Sequence, residues 1–359
     1  MIGRKKNKTI VTVTGIRPDF IRMSEIIRRL DAESSFEHIL VHTGQHYDEM
    51  LSSIFFKDLN IRKPDYNLLV GGEKKSHYHQ QALLSTRIIE LFQQQNITPD
   101  VVLFLGDSNS VLASVSVRKE GYKVGHVEAG MRSYDERMLE EINRKVCDHV
   151  SNYLFVYHKN YRKKALREGI DDERIFVIGN TIVEPLRRIA DLSYEGSDSH
   201  ILLDIHRPEN FQYPSRLAAI LMYARQYSEY FDLPVKMLSF GRTMAEIEHN
   251  KIDIGNIEPI PLKGYKDFIR LQQDSKFIIS DSGTAQEEPA LLGIPVVVPR
   301  EFTERPESVD NNCSYMLNLN DGSYLSSLSW LESSVARSID WLGDGSASQS
   351  VVDTLKEVL

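Results

Sequence analysis

The stretch VVLFLGDSNSVLASVSVRKEGYKVGHVEAG, residues 101–130, decides the fold. It begins with an apolar run that ends at Gly106-Asp107, continues with an amphipathic segment, and closes with a second apolar run that ends near Glu128. A short buried strand, a helix and another short strand are typical of a parallel sheet that helices cover on both faces. The stretch therefore predicts a doubly wound α/β fold.

The same alternation extends in both directions from this stretch. TIVTVTG and HILVHTG precede it as strands, each followed by a helical segment, and a second series of strands and helices begins with HILLDIH at residues 200–206. Two series predict two Rossmann-like doubly wound domains, and 359 residues suffice for two cores. We place the first domain at residues 1–183 and the second at 184–345, and we expect a C-terminal helix at 346–359 to pack back on the first domain.

Composition excludes several classes of protein. The chain has 51 acidic and 43 basic residues, a formal net charge of -8, and only two cysteines, Cys147 and Cys313. The acidic excess argues against a nucleic-acid partner, although it leaves room for a local basic site that holds a phosphorylated ligand. Neither a disulfide framework nor the spacing of a zinc site is present, and no apolar run is long enough for a signal peptide or a membrane helix. We therefore expect a cytoplasmic protein without membrane insertion.

Ligands of open parallel sheets bind beyond the carboxyl ends of the strands, and we expect two such edges to face each other across a cleft. The first strand runs into the turn Gly15–Asp19, where Arg17 and the amides at a helix N-terminus can hold a phosphate, and Arg22 follows one turn later. A turn glycine with solvated charges is the alternative, and for this turn alone it is the more frequent one.

Three acidic positions at or after predicted strand ends are more informative. They are Asp107, Glu128 and the pair Glu140-Glu141 at the start of a helix. Carboxylates at the tips of neighbouring strands converge, and crowding shifts their pKa values towards the range of proton transfer. Helix capping by Asp107 and a favourable helix dipole at Glu140-Glu141 stay open as alternatives.

The second series repeats chemistry that suits phosphate. His206 follows the strand ILLDI, and the small-residue turn Asp281–Thr284 precedes a helix whose Glu288 can accept hydrogen bonds from ribose hydroxyls. Together these features indicate a pocket for a nucleotide diphosphate. A structural histidine and a plain capping turn are the alternatives.

Nine motifs occur in an order and at spacings that resemble the non-hydrolysing UDP-N-acetylglucosamine 2-epimerases, over roughly residues 10–310. They are GIRPDFIRM, HTGQHYDEM, LGDSNSVLAS, GHVEAGMRS, LEEINR, IGNT, IHRPENF, SDSGTAQEE and TERPE. The resemblance implies a two-domain glycosyltransferase-B fold and a homodimer. It also implies inversion of C2 in a UDP-2-acetamido sugar by elimination and re-addition of UDP, for surface polysaccharide synthesis, with neither a nicotinamide cofactor nor a metal.

The resemblance also implies roles for individual residues. It assigns catalysis to Asp107, Glu128, Glu140 and His206. The substrate-binding residues that it implies are Arg17, Arg22, Arg144, Phe268, Ser282, Gly283, Glu288 and Arg305. Arg17 resembles a diphosphate-binding arginine, Phe268 falls where the family packs beside uracil, and Ser282, Gly283 and Glu288 resemble contacts to phosphate and ribose. Which carboxylate acts as base and which as acid stays open.

Departures from the family motifs concern the sugar and a second ligand. The forms MRSYDERMLEEINR and HTGQHYDEM resemble the branch that acts on UDP-2,3-diacetamido sugars and their uronic acids. Many bacterial members bind an activating second UDP-sugar through a QH motif and a later histidine. Gln45 and His46 are present, but the later stretch, MLSFGRTMAEIE, contains no histidine. We therefore predict that this activator site is altered or absent.

Three other functions compete with this interpretation. A retaining glycosyltransferase of the same fold would bind a nucleotide sugar but would not need three carboxylates around C2. A hydrolysing epimerase would typically have a start without the acid of RPD. A non-catalytic nucleotide-sugar sensor would have no need of the acidic set.

Overall fold

The structure is a computed structural model that describes residues 7–44, 56–71, 76–320 and 323–359. The chain forms two compact units. Unit 1 comprises Met1–Pro185 and Leu342–Leu359, and unit 2 comprises Leu186–Trp341. The corresponding predicted boundaries lie after residues 183 and 345.

Unit 1 contains a parallel sheet. Within the described residues its strands are β1 (Lys8–Thr14), β2 (Phe36–His42), β3 (Tyr66–Asn67), β4 (Val101–Leu105), β5 (Lys123–Ala129), β6 (Tyr153–Val156) and β7 (Ile175–Val177), in the order β3-β2-β1-β4-β5-β6-β7. Its helices include α1 (Arg17–Ala32), α2 (His77–Gln94), α3 (Ala113–Lys119), α4 (Leu139–Val150), α5 (Lys159–Arg167) and α6 (Val183–Ile189), which extends into unit 2. All five residues of β4 are buried apolar side chains, as expected for a strand covered on both faces.

Unit 2 has the same architecture. Its described strands are β8 (His200–Asp204), β9 (Val235–Leu238), β10 (Glu258–Ile260), β11 (Ser275–Ser280), β12 (Val296–Val298) and β13 (Ser314–Met316), in the order β10-β9-β8-β11-β12-β13. The helices are α7 (Pro208–Phe211), α8 (Pro214–Phe231), α9 (Gly241–His249), α10 (Tyr265–Gln273), α11 (Glu288–Leu292), α12 (Pro306–Asp310) and α13 (Ser323–Glu332). Short 3-10 turns lie in both units, at Asn109–Leu112 and Asp172–Arg174 in unit 1, at Thr284–Gln286 in unit 2, and at Asp340–Leu342 where unit 2 passes into the C-terminal part of unit 1.

The register of the strands brings particular strand ends side by side. In unit 1, Leu105 of β4 pairs with Val127 of β5, so the residues that follow β4 lie beside the end of β5. In unit 2, Asp204 of β8 pairs with Ser280 of β11, although their separation in sequence is large. Because every strand pair is parallel, the carboxyl ends of all strands of a sheet meet at one edge.

The last helix, α14 (Ala347–Val358), packs against α1 in unit 1. Ser348, near the start of α14, contacts both α1 and α6. Its Oγ accepts from Arg29 Nε at 2.6 Å, and its backbone N–H donates to Glu184 Oε2 at 2.8 Å. Lys356 forms an ion pair with Glu33 one turn before the end of the chain. These contacts make the C-terminal segment part of unit 1.

The predicted fold class is confirmed, since both units are α/β layers built on parallel sheets. Among the described helices, none combines the length and the apolar character that crossing a bilayer requires.

Candidate active site

Two carboxylates at neighbouring strand ends share one arginine. Nη2 of Arg144 donates to Asp107 Oδ2 at 2.5 Å and to Glu128 Oε1 at 2.8 Å. The Glu128 side chain is buried, whereas 20% of the Asp107 side chain is exposed. Within the described part of the chain, Oδ1 of Asp107 has no hydrogen-bond partner. The two acids predicted to converge thus meet at one guanidinium group, and Asp107 retains an oxygen that can meet a ligand.

Glu128 has an unusual backbone conformation. Its φ is 68°, in the left-handed region, and the pairing of β5 with β6 shifts register between Val127 and Ala129. This conformation costs a residue other than glycine about 1–2 kcal/mol, and such residues concentrate at functional sites. Nη1 of Arg144 restrains it by donating to the Glu128 carbonyl oxygen at 3.2 Å. The bulge and the arginine together aim the Glu128 side chain at the Asp107 side of the sheet edge.

Helix α4 supplies the groups that hold both acids. Asn143 Nδ2 donates to the Asp107 carbonyl oxygen at 2.8 Å, and Arg144 is the next residue. Glu140, in the first turn of α4, is half-buried and lies three and four positions before them, which places it on the same helix face. Glu141 has a different task, because its carboxylate accepts from Ser133 N at 3.0 Å and closes the loop before α4.

Arg22, which is also predicted to bind substrate, contacts the carboxylate of Glu128 as well. Nη1 of Arg22 is 3.3 Å from Glu128 Oε2 and donates to Asn180 Oδ1 at 3.2 Å, and its side chain is almost fully buried. Each Glu128 oxygen therefore has its own guanidinium group, from Arg22 or from Arg144. Their predicted role in substrate binding stays a prediction, while the structure places both as ion-pair partners of a buried carboxylate.

The predicted phosphate turn holds a carboxylate of its own. Asp19 Oδ2 accepts from the backbone N–H of Gly15 at 2.8 Å and of Ile16 at 3.1 Å. Burial, with a smaller contribution from the nearby Asp107 and Glu128, raises the pKa of Asp19 to about 7 against the lowering effect of these two hydrogen bonds. Arg17 begins α1 beside this turn and is half-buried.

A buried charged network supports the ends of β4 and β5. His126 lies 2.7 Å from Asp148 Oδ1 through Nδ1 and 2.8 Å from the Gly106 carbonyl oxygen through Nε2. Carboxylate and carbonyl oxygens only accept, so both ring nitrogens donate and the ring is an imidazolium. Asp148 Oδ2 accepts from the backbone N–H of Gly130 at 3.1 Å and from Arg132 Nη2 at 2.8 Å. The network thereby connects the residue before Asp107 to the residues that flank Glu128.

The pKa values agree with this charge assignment. Burial lowers the pKa of His126, but the side chains of Cys147 and Asp148 outweigh burial and raise it to about 10. Burial raises the pKa of Asp148, but His126 and Arg132 outweigh burial and lower it to about 2. His126 and Asp148 are therefore a charged pair across the physiological range.

In unit 2, His206 lies between two buried aspartates at the ends of β8 and β11. Its Nδ1 is 3.0 Å from Asp204 Oδ1 and 3.6 Å from Asp281 Oδ1. Burial lowers the pKa of His206, but Asp204 and Asp281 outweigh burial and raise it. Asp281 also accepts from the backbone N–H of His206 and of Arg207, both at 3.1 Å, and so shapes the loop after β8.

The predicted diphosphate turn follows β11 in unit 2. Ser282 donates its backbone N–H to Ser280 Oγ at 3.0 Å, and its side chain is half-buried. Gly283 lies so close to its neighbours that a Cβ there would be 2.6 Å from Glu304 Oε1 and 2.7 Å from Arg305 Nη1. Only glycine therefore fits this turn without a shift of the charged side chains around it.

Glu288, Arg305 and Phe268 are built into unit 2 in different ways. Glu288 is buried and accepts from Tyr265 Oη at 2.8 Å and Gln272 Nε2 at 3.2 Å, so α10 holds both of its oxygens. Arg305 precedes α12 and donates to Glu304 Oε1 at 2.8 Å. Phe268, on α10, is half-buried and packs against the apolar residues of the sheet. Ribose, phosphate and uracil contacts by these three residues stay predictions.

Within each unit the structure collects most of the predicted residues. Asp107, Glu128, Arg144 and Arg22 form one connected cluster in unit 1, while His206, Ser282 and Gly283 lie at neighbouring strand ends of unit 2. Sequence reasoning missed His126, Asp148 and Asp204 as parts of these clusters. It named Asp19 and Asp281 only as ends of the two predicted phosphate turns, without a role of their own. Asp204 and Asp281 lie at strand ends and could have been found from that position alone. The partner of His126 carried no signal, because it is on a helix 22 positions later.

Gln45 and His46, the residues of the activator motif, lie outside the described residues. In the part of the chain that the structure describes, no group of three His, Cys, Asp or Glu side chains is arranged to hold a metal ion.

Comparison with known proteins gives the family. The pattern of the UDP-N-acetylglucosamine 2-epimerase family matches residues 28–356. A UDP-N-acetylglucosamine 2-epimerase of Methanococcus maripaludis is 35% identical over 364 residues, covering 95% of this chain and 96% of that protein. The chain belongs to the UDP-N-acetylglucosamine 2-epimerase family. The predicted resemblance is thereby confirmed.

Other members of the family differ in the sugar that they are named for. A UDP-2,3-diacetamido-2,3-dideoxy-D-glucuronate 2-epimerase of Pseudomonas aeruginosa is 33% identical over 310 residues, covering 84% of this chain and 85% of that protein. The crystal structure of the Methanocaldococcus jannaschii UDP-GlcNAc 2-epimerase in complex with UDP-GlcNAc and UDP superposes with a TM-score of 0.89 at 31% identity. This match covers 97% of this chain and 99% of that one.

Proposed function

We propose that this protein is a non-hydrolysing epimerase that inverts C2 of a UDP-2-acetamido sugar. The observation that carries the proposal is the cluster in which Asp107 and Glu128 share the guanidinium group of Arg144. Epimerisation at C2 needs one group that removes a proton and another that returns it on the opposite face. Family membership and a set of carboxylates at one sheet edge support this chemistry together.

The reaction begins with the removal of the C2 proton by a carboxylate. The electron pair of the C2–H bond forms the C1=C2 double bond, and the C1–O bond breaks, so that its electron pair leaves with UDP. A proton from a second carboxyl group then adds to C2 on the other face, while an oxygen of UDP re-forms the bond to C1. Atoms and charges balance without a cofactor.

Asp107 is the best candidate for one of these proton transfers. It is the more exposed acid of the pair, and its Oδ1 has no hydrogen-bond partner within the described residues. Glu140, half-buried on the same face of α4 as Arg144, is our candidate for the other transfer. Glu128 keeps Arg144 and Asp107 in place, since both of its oxygens lie on guanidinium groups.

Unit 2 holds the nucleotide in this proposal. His206, whose pKa is raised by two aspartates, donates a hydrogen bond to the leaving diphosphate, and the turn at Ser282 and Gly283 binds phosphate oxygens. Glu288 binds ribose, Phe268 packs beside uracil, and Arg305 lies close to the diphosphate. For Arg17, which begins α1 in unit 1, binding of the diphosphate is the proposed role.

Two substrates are the candidates, because relatives of similar identity carry both names. They are UDP-N-acetylglucosamine and its 2,3-diacetamido uronate relative. The deciding experiment incubates the protein with each substrate in deuterated water and follows C2 by NMR. We expect deuterium at C2 of a sugar that still carries UDP with at least one substrate. Absence of exchange with both would refute the proposal, and transfer to an added acceptor would favour the retaining glycosyltransferase.

Single variants test the residue roles. We expect Asp107→Asn to lose at least about 100-fold in turnover, which is the usual size of a general acid–base contribution, while it still binds UDP. Glu128→Gln should lose most turnover and still bind UDP, because Arg144 and Asp107 lose the carboxylate that holds them. His206→Asn should also lose most turnover and should still bind UDP, but more weakly, because the imidazole that meets the diphosphate is gone. Glu136→Gln is the matched control, because this carboxylate precedes α4 but is 89% exposed. Full activity in Glu128→Gln would remove Glu128 from the mechanism. A loss of turnover in Glu136→Gln would show that removing any nearby negative charge is enough to lower turnover.

We propose further that the protein acts as a homodimer in the cytoplasm and supplies a precursor of a surface polysaccharide. Analytical ultracentrifugation tests the dimer. A strictly monomeric and fully active enzyme would contradict that part of the proposal.

A further inference from the structure

The imidazole of His206 is held on one nitrogen and open on the other. Nδ1 lies 3.0 Å from Asp204 Oδ1, whereas Nε2 has no hydrogen-bond partner among the residues that the structure describes. The ring packs against Phe240 with centroids 4.8 Å apart, and 33% of the side chain is exposed. The ring is therefore oriented with Nε2 as its only nitrogen available to a ligand.

The carboxylate of Asp204 is anchored on both oxygens. Asp204 ends β8 and is buried, and its Oδ2 accepts from Ser280 Oγ of the neighbouring strand at 2.8 Å. A carboxylate fixed in this way sets the tautomer and the orientation of a histidine.

Asp281 has another role, although it is also near the ring. It accepts hydrogen bonds from the backbone N–H groups of His206 and Arg207 and from Asn210 Nδ2. At 3.6 Å from Nδ1 it is too far for a hydrogen bond to the ring. Asp204 is thus the acidic group that orients the imidazole, whereas Asp281 orients the loop.

We propose that Asp204 is a positioning residue that keeps Nδ1 of His206 protonated and presents Nε2 to the diphosphate of the nucleotide sugar. The identity of the ligand rests on the proposed function, whereas the pairing of Asp204 with the ring does not. A ring held in this way donates Nε2–H to a phosphate oxygen while it is charged, and it offers only a lone pair when it is neutral.

The charges that face the ring decide its titration. Burial lowers the pKa of His206, Asp204 and Asp281 raise it, and the neighbouring Arg207 lowers it, with a raised pKa as the net result. Removing the charge of Asp204 therefore removes the largest raising influence. The imidazolium is then lost at a lower pH.

The first test uses the unmodified protein. The chain has 11 histidines, so the signals of His206 in a sample labelled with ¹⁵N-histidine are assigned from their absence in His206→Gln. We expect the ring to stay charged to a higher pH than an ordinary histidine and, above its pKa, to adopt the tautomer with the proton on Nδ1. Protonation of Nε2 in the neutral ring would overturn the proposal without the use of any Asp204 variant.

The second test compares Asp204→Asn with Asp253→Asn. Asp253 is a matched control in unit 2, because its side chain is 82% exposed and contacts Arg225 on the surface. We expect the pKa of His206 to fall by at least about one pH unit in Asp204→Asn, as for the loss of a close opposite charge, and to stay unchanged in the control. An unchanged pKa in a folded Asp204→Asn protein would overturn the proposal.

Ligand binding and turnover complete the test. We expect UDP binding by Asp204→Asn to weaken at a lower pH than UDP binding by the unmodified protein, in step with the measured fall in the pKa of His206, and to recover at a pH below that pKa. We expect kcat to follow the same shift. A pH-independent loss of UDP binding would indicate a merely structural role and would also overturn the proposal. If the titration shifts as expected but neither substrate is epimerised, the proposed function fails and the Asp204–His206 pairing stands.

Discussion

The charged pair behind the two strand ends leads to the sharpest prediction about stability. His126→Gln removes an imidazolium that is hydrogen-bonded to Asp148 and to the Gly106 carbonyl. Glutamine can replace one of these hydrogen bonds but not the charge, so Asp148 remains buried beside Arg132 with one partner fewer. The change acts entirely inside unit 1.

The magnitude follows from the pKa of His126. A rise from 6.5 to about 10 corresponds to an upper bound of about 5 kcal/mol at 1.36 kcal/mol per unit. Breaking a buried ion pair by removal of one partner costs about 3–5 kcal/mol. We therefore expect His126→Gln to lower the free energy of unfolding of unit 1 by about 3–5 kcal/mol at pH 6.

The sign of the pH dependence is also determined. Because the pKa is raised in the folded state, the stabilisation by His126 is fully present below pH 6.5 and is lost as the pH rises through about 10. The difference between the unmodified protein and His126→Gln should therefore shrink between pH 6.5 and about 10.

Urea unfolding measures this effect with an internal reference. Both tryptophans, Trp330 and Trp341, lie in unit 2, so their fluorescence follows unit 2, whereas far-UV circular dichroism follows both units. We expect the circular dichroism transition to move to lower urea and the fluorescence transition to stay. His149→Gln, on the exposed side of α4, is the control and should change stability by less than about 0.5 kcal/mol. The reasoning would be refuted if His126→Gln lowered the free energy of unfolding by less than about 1 kcal/mol at pH 6. It would also be refuted if the difference in stability between the unmodified protein and His126→Gln did not shrink towards about pH 10.

Three further predictions follow from single residues. Asp19→Asn should stabilise unit 1 by up to about 4 kcal/mol above pH 7, because the folded-state pKa of Asp19 is raised from 3.8 to about 7. This gain in stability should vanish below pH 3.8, and urea unfolding at pH 8 and pH 3.5 checks both expectations. Gly283→Ala should destabilise unit 2 by about 1–3 kcal/mol and weaken UDP binding. Gly241→Ala is the control and should change neither quantity, because a Cβ at Gly241 meets nothing within 4 Å. Tryptophan fluorescence during urea unfolding measures the stability, and calorimetry measures UDP binding. Gln45→Ala should leave hyperbolic substrate kinetics unchanged if the activator site is altered or absent, and a sigmoidal dependence of rate on substrate in the unmodified enzyme would contradict this.

Much of the fold and of the site could be predicted because the signals are local. The alternation of short apolar runs with amphipathic segments indicates parallel sheets, and a residue just after a strand lies at the ligand-binding edge. This reasoning located Asp107, Glu128 and His206 correctly at strand ends. Reasoning from the residues left Glu140 and Glu141 as a pair, and only the resemblance chose Glu140. The contact of the Glu141 carboxylate with Ser133, which closes the loop before α4, depends on the fold of that loop and has no signal in the sequence.

The sequence by itself therefore determined the fold class, the family and the strand ends at which the chemistry lies, because periodicity and motifs are properties of neighbouring residues. The tertiary structure decided which charges pair. Arg144 lies on Asp107 and Glu128 because β4 and β5 are adjacent, and Asp204 is anchored by Ser280 because β8 lies beside β11. Strand order and register bring together groups that are far apart in the chain, and no local pattern encodes that proximity. Two of the four arginines that the resemblance assigned to the substrate, Arg22 and Arg144, consequently lie against a buried carboxylate in the folded protein.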